Sequence, residues 1–147
     1  MLFRQSPKAT YFVRGIATTS YGMAKKHILI IDDDYMLRRL FGGVLASAGF
    51  DVIYAASGDE GRETARRLQP DLILLDIRMP GNDGYTIARR LRQEKQTKDI
   101  PVVFLTNEDL SQEAEKAAKE VFVHDYIHKS IDLNEFVAKV KNILGVP

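Results

Sequence analysis

Between residues 25 and 144 the chain repeats one pattern five times: a short apolar run, then a stretch whose apolar residues recur at helical spacing. A parallel strand can follow another only through a crossover of about a dozen residues, usually a helix, so this alternation points to strand–helix units sharing one parallel sheet. The expected fold is an open α/β sheet of five strands, doubly wound, with helices on both faces.

The first run, HILII, spans His27–Ile31. After it, Leu37, Leu40, Phe41, Val44, Leu45 and Ala48 fall on one helical stripe, which Gly49 closes. Asp51–Ala55 is the second strand, and Ser57 with Glu60 reads as a capping box for a second helix ended by Pro70. Leu72–Leu75 is the third strand; Asp83 caps a third helix over 83–93. Residues 101–105 form the fourth strand, with Pro101 tolerated at its first position. A polar fourth helix over 110–120, a short strand over 126–128 and a fifth helix complete the series. Asp132 and Glu135 box the start of that last helix, which buries Leu133, Phe136, Val137, Val140 and Leu144.

Composition narrows the function. Lys plus Arg number 21 and Asp plus Glu 20, so the net charge of +1 offers no broad field for nucleic acid or an acidic membrane. Cysteine is absent, which excludes disulfides, thiolate metal sites and a cysteine nucleophile. No apolar run approaches the roughly 20 residues of a membrane span. The expectation is one soluble, cytoplasmic domain over 25–147. Residues 1–24 stand apart: they hold Arg4, Lys8 and Arg14 and no acidic residue. Three readings compete for this extension: sequence upstream of a start at Met23, an unstructured tail, or a targeting segment.

In a doubly wound sheet ligands sit beyond the carboxyl ends of the strands, where strand order reverses. Those ends carry Asp32 and Asp33 after the first strand, Asp76 after the third, Thr106 after the fourth and Lys129 after the fifth. If the first and third strands are neighbours, the three carboxylates crowd together, which raises a pKa or calls for a cation. An all-oxygen donor set suits Mg²⁺. Lys129 and Thr106 can hold the oxygens of a phosphoryl group, and a carboxylate with no Ser, Cys or His rival can itself attack phosphorus. Asp76 stands alone at its strand end and is the better nucleophile.

The segments ILIIDDD, DLILLDIRMPGNDG, VVFLTN and YIHK, in this order at these strand ends, resemble the receiver domain of two-component response regulators over residues 25–144. The resemblance implies a flavodoxin-like fold with strand order 2-1-3-4-5. It implies phosphorylation of Asp76 by a histidine kinase or phosphotransfer protein, catalysed by the receiver itself rather than by a conventional enzyme. Asp33, Asp76 and the backbone carbonyl of Arg78 would bind Mg²⁺ directly, and Asp32 mainly through water. Thr106, Lys129 and the backbone N–H of Asn107 would contact the phosphoryl oxygens. Thr106 and Tyr126 would then move, changing the face built from the fourth helix, fifth strand and fifth helix. An unidentified downstream protein would read that face, which also offers a weak dimer contact to an otherwise monomeric chain. The absence of a DNA-binding segment argues for a stand-alone regulator without direct nucleic-acid contact.

Two positions depart from the family pattern. The lysine is usually followed by proline, and here Ser130 follows Lys129, which puts the lysine's reach in question. The small pair usual before the fifth strand is replaced by Phe122 and Val123, expected to fill space near the switch. Arg78 and Glu108 are placed to line the approach to the phosphoryl group.

Plainer readings stand beside these. Asp34 is best explained as a helix N-cap, Tyr126 equally well as a packed strand aromatic, and His27, His124 and His128 as strand or surface histidines without metal-ligand spacing. Arg38 and Arg39 are expected to be solvated, with docking of a phosphodonor as the sharper alternative. Two other functions compete: a receiver-like binding scaffold independent of phosphate, and a haloacid-dehalogenase-like phosphatase with Asp32 as nucleophile, although Met36 stands where that motif wants Thr or Val.

Overall fold

The computed structural model describes residues 8–13, 16–21, 24–109 and 111–147, with side chains from residue 24 onward. Strands β1 (Lys8–Val13) and β2 (Ile16–Tyr21) pair antiparallel as a separate two-stranded sheet. The rest alternates as expected: β3 (His27–Ile31), α1 (Tyr35–Ser47), β4 (Asp51–Ala55), α2 (Gly58–Leu68), β5 (Leu72–Leu75), α3 (Gly84–Gln93), β6 (Val102–Thr106), α4 (Gln112–Glu120), β7 (Asp125–His128) and α5 (Leu133–Leu144).

All neighbours in the five-stranded sheet are parallel, in the order β4-β3-β5-β6-β7. Counted from β3 this is the 2-1-3-4-5 order. Strands β5 and β6 are buried along their whole length, and β3 from Ile28 onward. Helices cover both faces of these central strands, which is why their sequences read as unbroken aliphatic runs. The edge strands β4 and β7 carry polar or half-exposed residues such as Asp51, Tyr54 and Asp125.

Alternation along each strand divides the core. Leu29, Ile31, Ile73, Leu75 and Phe104 meet Ala65 of α2, Ile87 and Leu91 of α3, and Ala118 of α4. Ile28, Ile30, Leu74 and Val103 meet Phe41 and Leu45 of α1 and Phe136 and Val140 of α5. Phe41 and Phe136 pack edge to face at 4.8 Å between ring centres. Among the described residues, no helix is long and apolar enough to cross a membrane.

Several sequence expectations shift. Leu40 is 47% exposed, because α1 rests on the sheet through Phe41, Gly42 and Leu45 and its buried stripe is narrower than the apolar pattern. Strand β6 starts at Val102, one residue after Pro101, and includes Thr106. Helix α4 begins at Gln112 with Ser111 as its cap, and Leu110 lies outside the described residues. The box at α2 is offset: Glu60 N–H donates to Ser57 Oγ, but the Glu60 carboxylate accepts from the Ala56 N–H. Phe122 is 75% exposed at the opposite end of β7 from the strand tips, in a left-handed conformation (φ 55°), so it does not fill space near the switch. Val123 packs on the same core cluster as Tyr126.

Candidate functional site

Strands β3 and β5 are adjacent, so their carboxyl ends deliver Asp32 and Asp76 side by side, and the Asp76 N–H continues the ladder to the Ile31 carbonyl at 2.9 Å. Asp32 and Asp76 are buried, whereas Asp33 faces solvent, and one oxygen from each carboxylate lies within 4.8 Å of the others. This is the strand reversal point at which doubly wound sheets bind ligands.

On the other side, the Lys129 N–H donates to the Thr106 carbonyl at 2.8 Å, extending the β6–β7 pairing past the end of β7. From there the buried Lys129 ammonium reaches Asp32 Oδ2 at 2.6 Å and Asp76 Oδ1 at 3.5 Å. The serine after the lysine therefore does not prevent its reach. Thr106 is buried beside this group, and its Oγ1 accepts the Glu108 N–H at 3.2 Å.

One cation faces three carboxylates, and the imbalance appears at Asp76. Burial and the neighbouring Asp32 carboxylate push the Asp76 carboxyl up to about 6. Lys129 and the Arg78 backbone N–H oppose the shift without cancelling it. A second cation would remove the strain. With oxygen donors only and an exposed Asp33 as the entry side, the set fits a hard, partly hydrated divalent ion such as Mg²⁺.

The flanks are ordered by local rules. Asp34 caps α1, its Oδ1 accepting the Met36 and Leu37 N–H groups, while its own N–H donates to Asp32 Oδ1 at 2.9 Å. Asp83 caps α3 through the Thr86 N–H. Gly84 opens that helix against the end of β5: a Cβ there would come within 2.6 Å of the Asp76 carbonyl oxygen. Arg78 and Glu108 form an ion pair beside the site, with Arg78 itself largely in water. The Tyr126 ring packs edge-on to Phe104 at 6.4 Å, and its hydroxyl donates to the Glu108 carbonyl.

Three further residues hold the rim in ways their sequence positions do not announce. Arg38 is anchored rather than solvated, its guanidinium donating to the Asp32 carbonyl at 2.6 Å. His128 joins two loops at the rim through both ring nitrogens. Gly84 carried a signal in its place directly after a capping aspartate; the bond of Arg38 depends on how α1 leaves the end of β3, and that of His128 to Asn107 joins segments 21 residues apart, which no local pattern marks.

A doubly wound sheet with three carboxylates, a hydroxyl and a lysine converging at its reversal point defines a class of small acidic-pocket modules. The chain belongs to the response regulator receiver domain family, which matches residues 28–141. It resembles a DNA-binding dual master transcriptional regulator of Synechocystis, with 42% identity over 80% of this chain and 48% of that protein. The polar-differentiation response regulator DivK of Brucella ovis is 29% identical over 82% of this chain and 97% of its own length. The crystal structure of a putative response regulator from Chloroflexus aurantiacus superposes with a TM-score of 0.77 at 37% identity, over 83% of this chain and 99% of that one. The chain thus spans about half the length of the curated transcriptional regulators it matches and nearly all of the shorter receiver proteins. Its membership places it among the proteins of two-component signalling, in line with the receiver reading and not with the phosphatase one.

Proposed function

We propose that this chain is a stand-alone, cytoplasmic response regulator that takes a phosphoryl group from a phosphohistidine donor onto Asp76 and passes the signal to a partner protein. The observation that carries the reading is the Lys129 ammonium lying between Asp32 and Asp76 at a rim that also holds Asp33 and Thr106.

In the transfer, an Asp76 carboxylate oxygen attacks phosphorus, the new O–P bond forms as the N–P bond breaks, and the donor imidazole leaves with its electron pair. Lys129 and the Thr106 hydroxyl hold two of the phosphoryl oxygens, and the Asn107 N–H assists, so the protein's share of the work is positioning and charge neutralisation. Mg²⁺, held by Asp33, Asp76 and the Arg78 carbonyl with Asp32 through water, would supply the remaining positive charge. Movement of Thr106 toward the phosphoryl group would release Tyr126 from its present contact and shift the α4–β7–α5 face toward a second binding state. Kinase or phosphotransfer protein on one side and an effector protein on the other are the partners this mechanism requires.

Mass spectrometry after incubation with acetyl phosphate and Mg²⁺ tests the chemistry. One added phosphoryl group, lost in Asp76→Asn and without metal, supports it. No gain in the wild type from either acetyl phosphate or a phosphorylated histidine donor would favour a binding scaffold independent of phosphate. The stand-alone reading is tested by the size of the native protein: a band near 16.6 kDa supports it, and one about twice that overturns it.

A further inference from the structure

The loop after Lys129 lacks the usual proline yet is held in place, and the device that holds it is on the neighbouring residue. His128 Nδ1 accepts the Ser130 backbone N–H at 3.1 Å and lies 2.7 Å from the Ser130 hydroxyl oxygen. An N–H can only donate, so Nδ1 carries no proton and the imidazole is in its Nε2–H form. That Nε2–H points at the Asn107 carbonyl, 3.1 Å away, with the Asp109 carboxylate 3.7 Å from the same nitrogen. A proline at 130 would have no N–H to offer, so the histidine and the serine make sense as a pair.

We propose that His128 is a positioning residue for phosphoryl binding: a single imidazole ties the segment carrying Lys129 to the segment carrying Asn107, setting the spacing of the two donors. The inference rests on the function proposed above. The ring spans the gap between the β6 and β7 ends on the outside of the rim, while Lys129, one residue on, points to the inside and reaches the carboxylates. Losing the clasp leaves the β6–β7 ladder intact but frees the loops beyond it, which is where Asn107 and the Lys129 flank lie.

The test is beryllofluoride binding with Mg²⁺, beryllofluoride serving as a stable phosphoryl stand-in, measured for the wild type, His128→Val, Ser130→Pro and the double variant. Binding by the wild type supports the underlying reading; its absence overturns that reading and the clasp with it. With a binding-competent wild type, His128→Val is expected to weaken affinity about fivefold, the factor for one ordinary hydrogen bond. The double variant is expected to lose less than the product of the single losses, because proline restores the constraint and removes the donor that needed the imidazole. His128→Asn, whose side-chain oxygen can replace Nδ1, and His128→Gln, whose amide can replace Nε2–H, should each recover part of the affinity lost in His128→Val. Losses that multiply, with no recovery by either amide, would overturn the proposal. Thermal unfolding of each variant, together with the Asn107 amide resonance, separates a displaced rim from a destabilised fold: an unmoved Asn107 signal in His128→Val also overturns it.

Discussion

The Lys129 ammonium lies 2.6 Å from Asp32 Oδ2, and both side chains are almost wholly buried. Removing one member of such a pair leaves the other charge in a low-dielectric site. Lys129→Ala is therefore expected to lower stability by about 3 kcal/mol at neutral pH. Urea unfolding checks it; the loss should shrink in acid, as the carboxylates protonate, and in excess Mg²⁺. A loss that is the same with and without Mg²⁺ would show that the lysine does not balance the pocket's charge.

Asp76 supplies a stability dependence of known sign. Its carboxyl titrates near 6 in the folded protein against an ordinary 3.8, so between these values the folded state holds a proton that the unfolded chain has released. Stability from this group is fully present below pH 3.8 and is lost as pH rises through 6. The span corresponds to about 3 kcal/mol. Asp76→Asn should then be more stable than the wild type at pH 7 by about 1–3 kcal/mol when metal is chelated, with a flatter profile over the same window. Equal stability of the two proteins at neutral pH would contradict the buried, repelled carboxylate.

The three consecutive aspartates divide by role. Asp34→Ala removes a helix cap and should lower stability by about 1 kcal/mol while leaving Mg²⁺ affinity nearly unchanged. Asp33→Asn should do the reverse, weakening Mg²⁺ about tenfold or more with little effect on stability in metal-free buffer. Metal titration beside thermal melts distinguishes the two, and equal Mg²⁺ affinities would remove Asp33 from the proposed ligand set.

Arg78 and Glu108 pair across the approach to Asp76. Replacing both with alanine opens that approach to water and is expected to shorten the life of the phosphorylated form by about threefold, a barrier change below 1 kcal/mol. The decay of the phosphoprotein gives the answer directly, and an unchanged half-life would assign the pair no part in it.

The strand–helix alternation was legible because short aliphatic runs and capping signals are local, and the crossover rule leaves few ways to connect them, while the strand order came with the family resemblance. The pocket was legible for a related reason: the carboxyl end of each strand is a position in the sequence, so Asp32, Asp76, Thr106 and Lys129 could be sent to one rim before any distance was known. Leu40 and Phe122 mark where this stops. Both are apolar and both are exposed, since burial depends on how a helix is rotated on the sheet and on which end of a strand a turn lies.

Composition is the one signal that residues 1–24 offer, and the pairing of β1 with β2 lies beyond what composition can express. The sequence by itself determined the strand–helix alternation, the core-facing stripes and the identity of the polar residues at the strand tips, all of which follow from short-range spacing. Tertiary structure alone decided that Lys129 spans Asp32 and Asp76, that Arg38 holds the Asp32 carbonyl, and that His128 bridges Asn107 to Ser130. Most of those contacts join segments far apart in the chain, and their geometry exists only once the sheet has fixed the distance between strand ends.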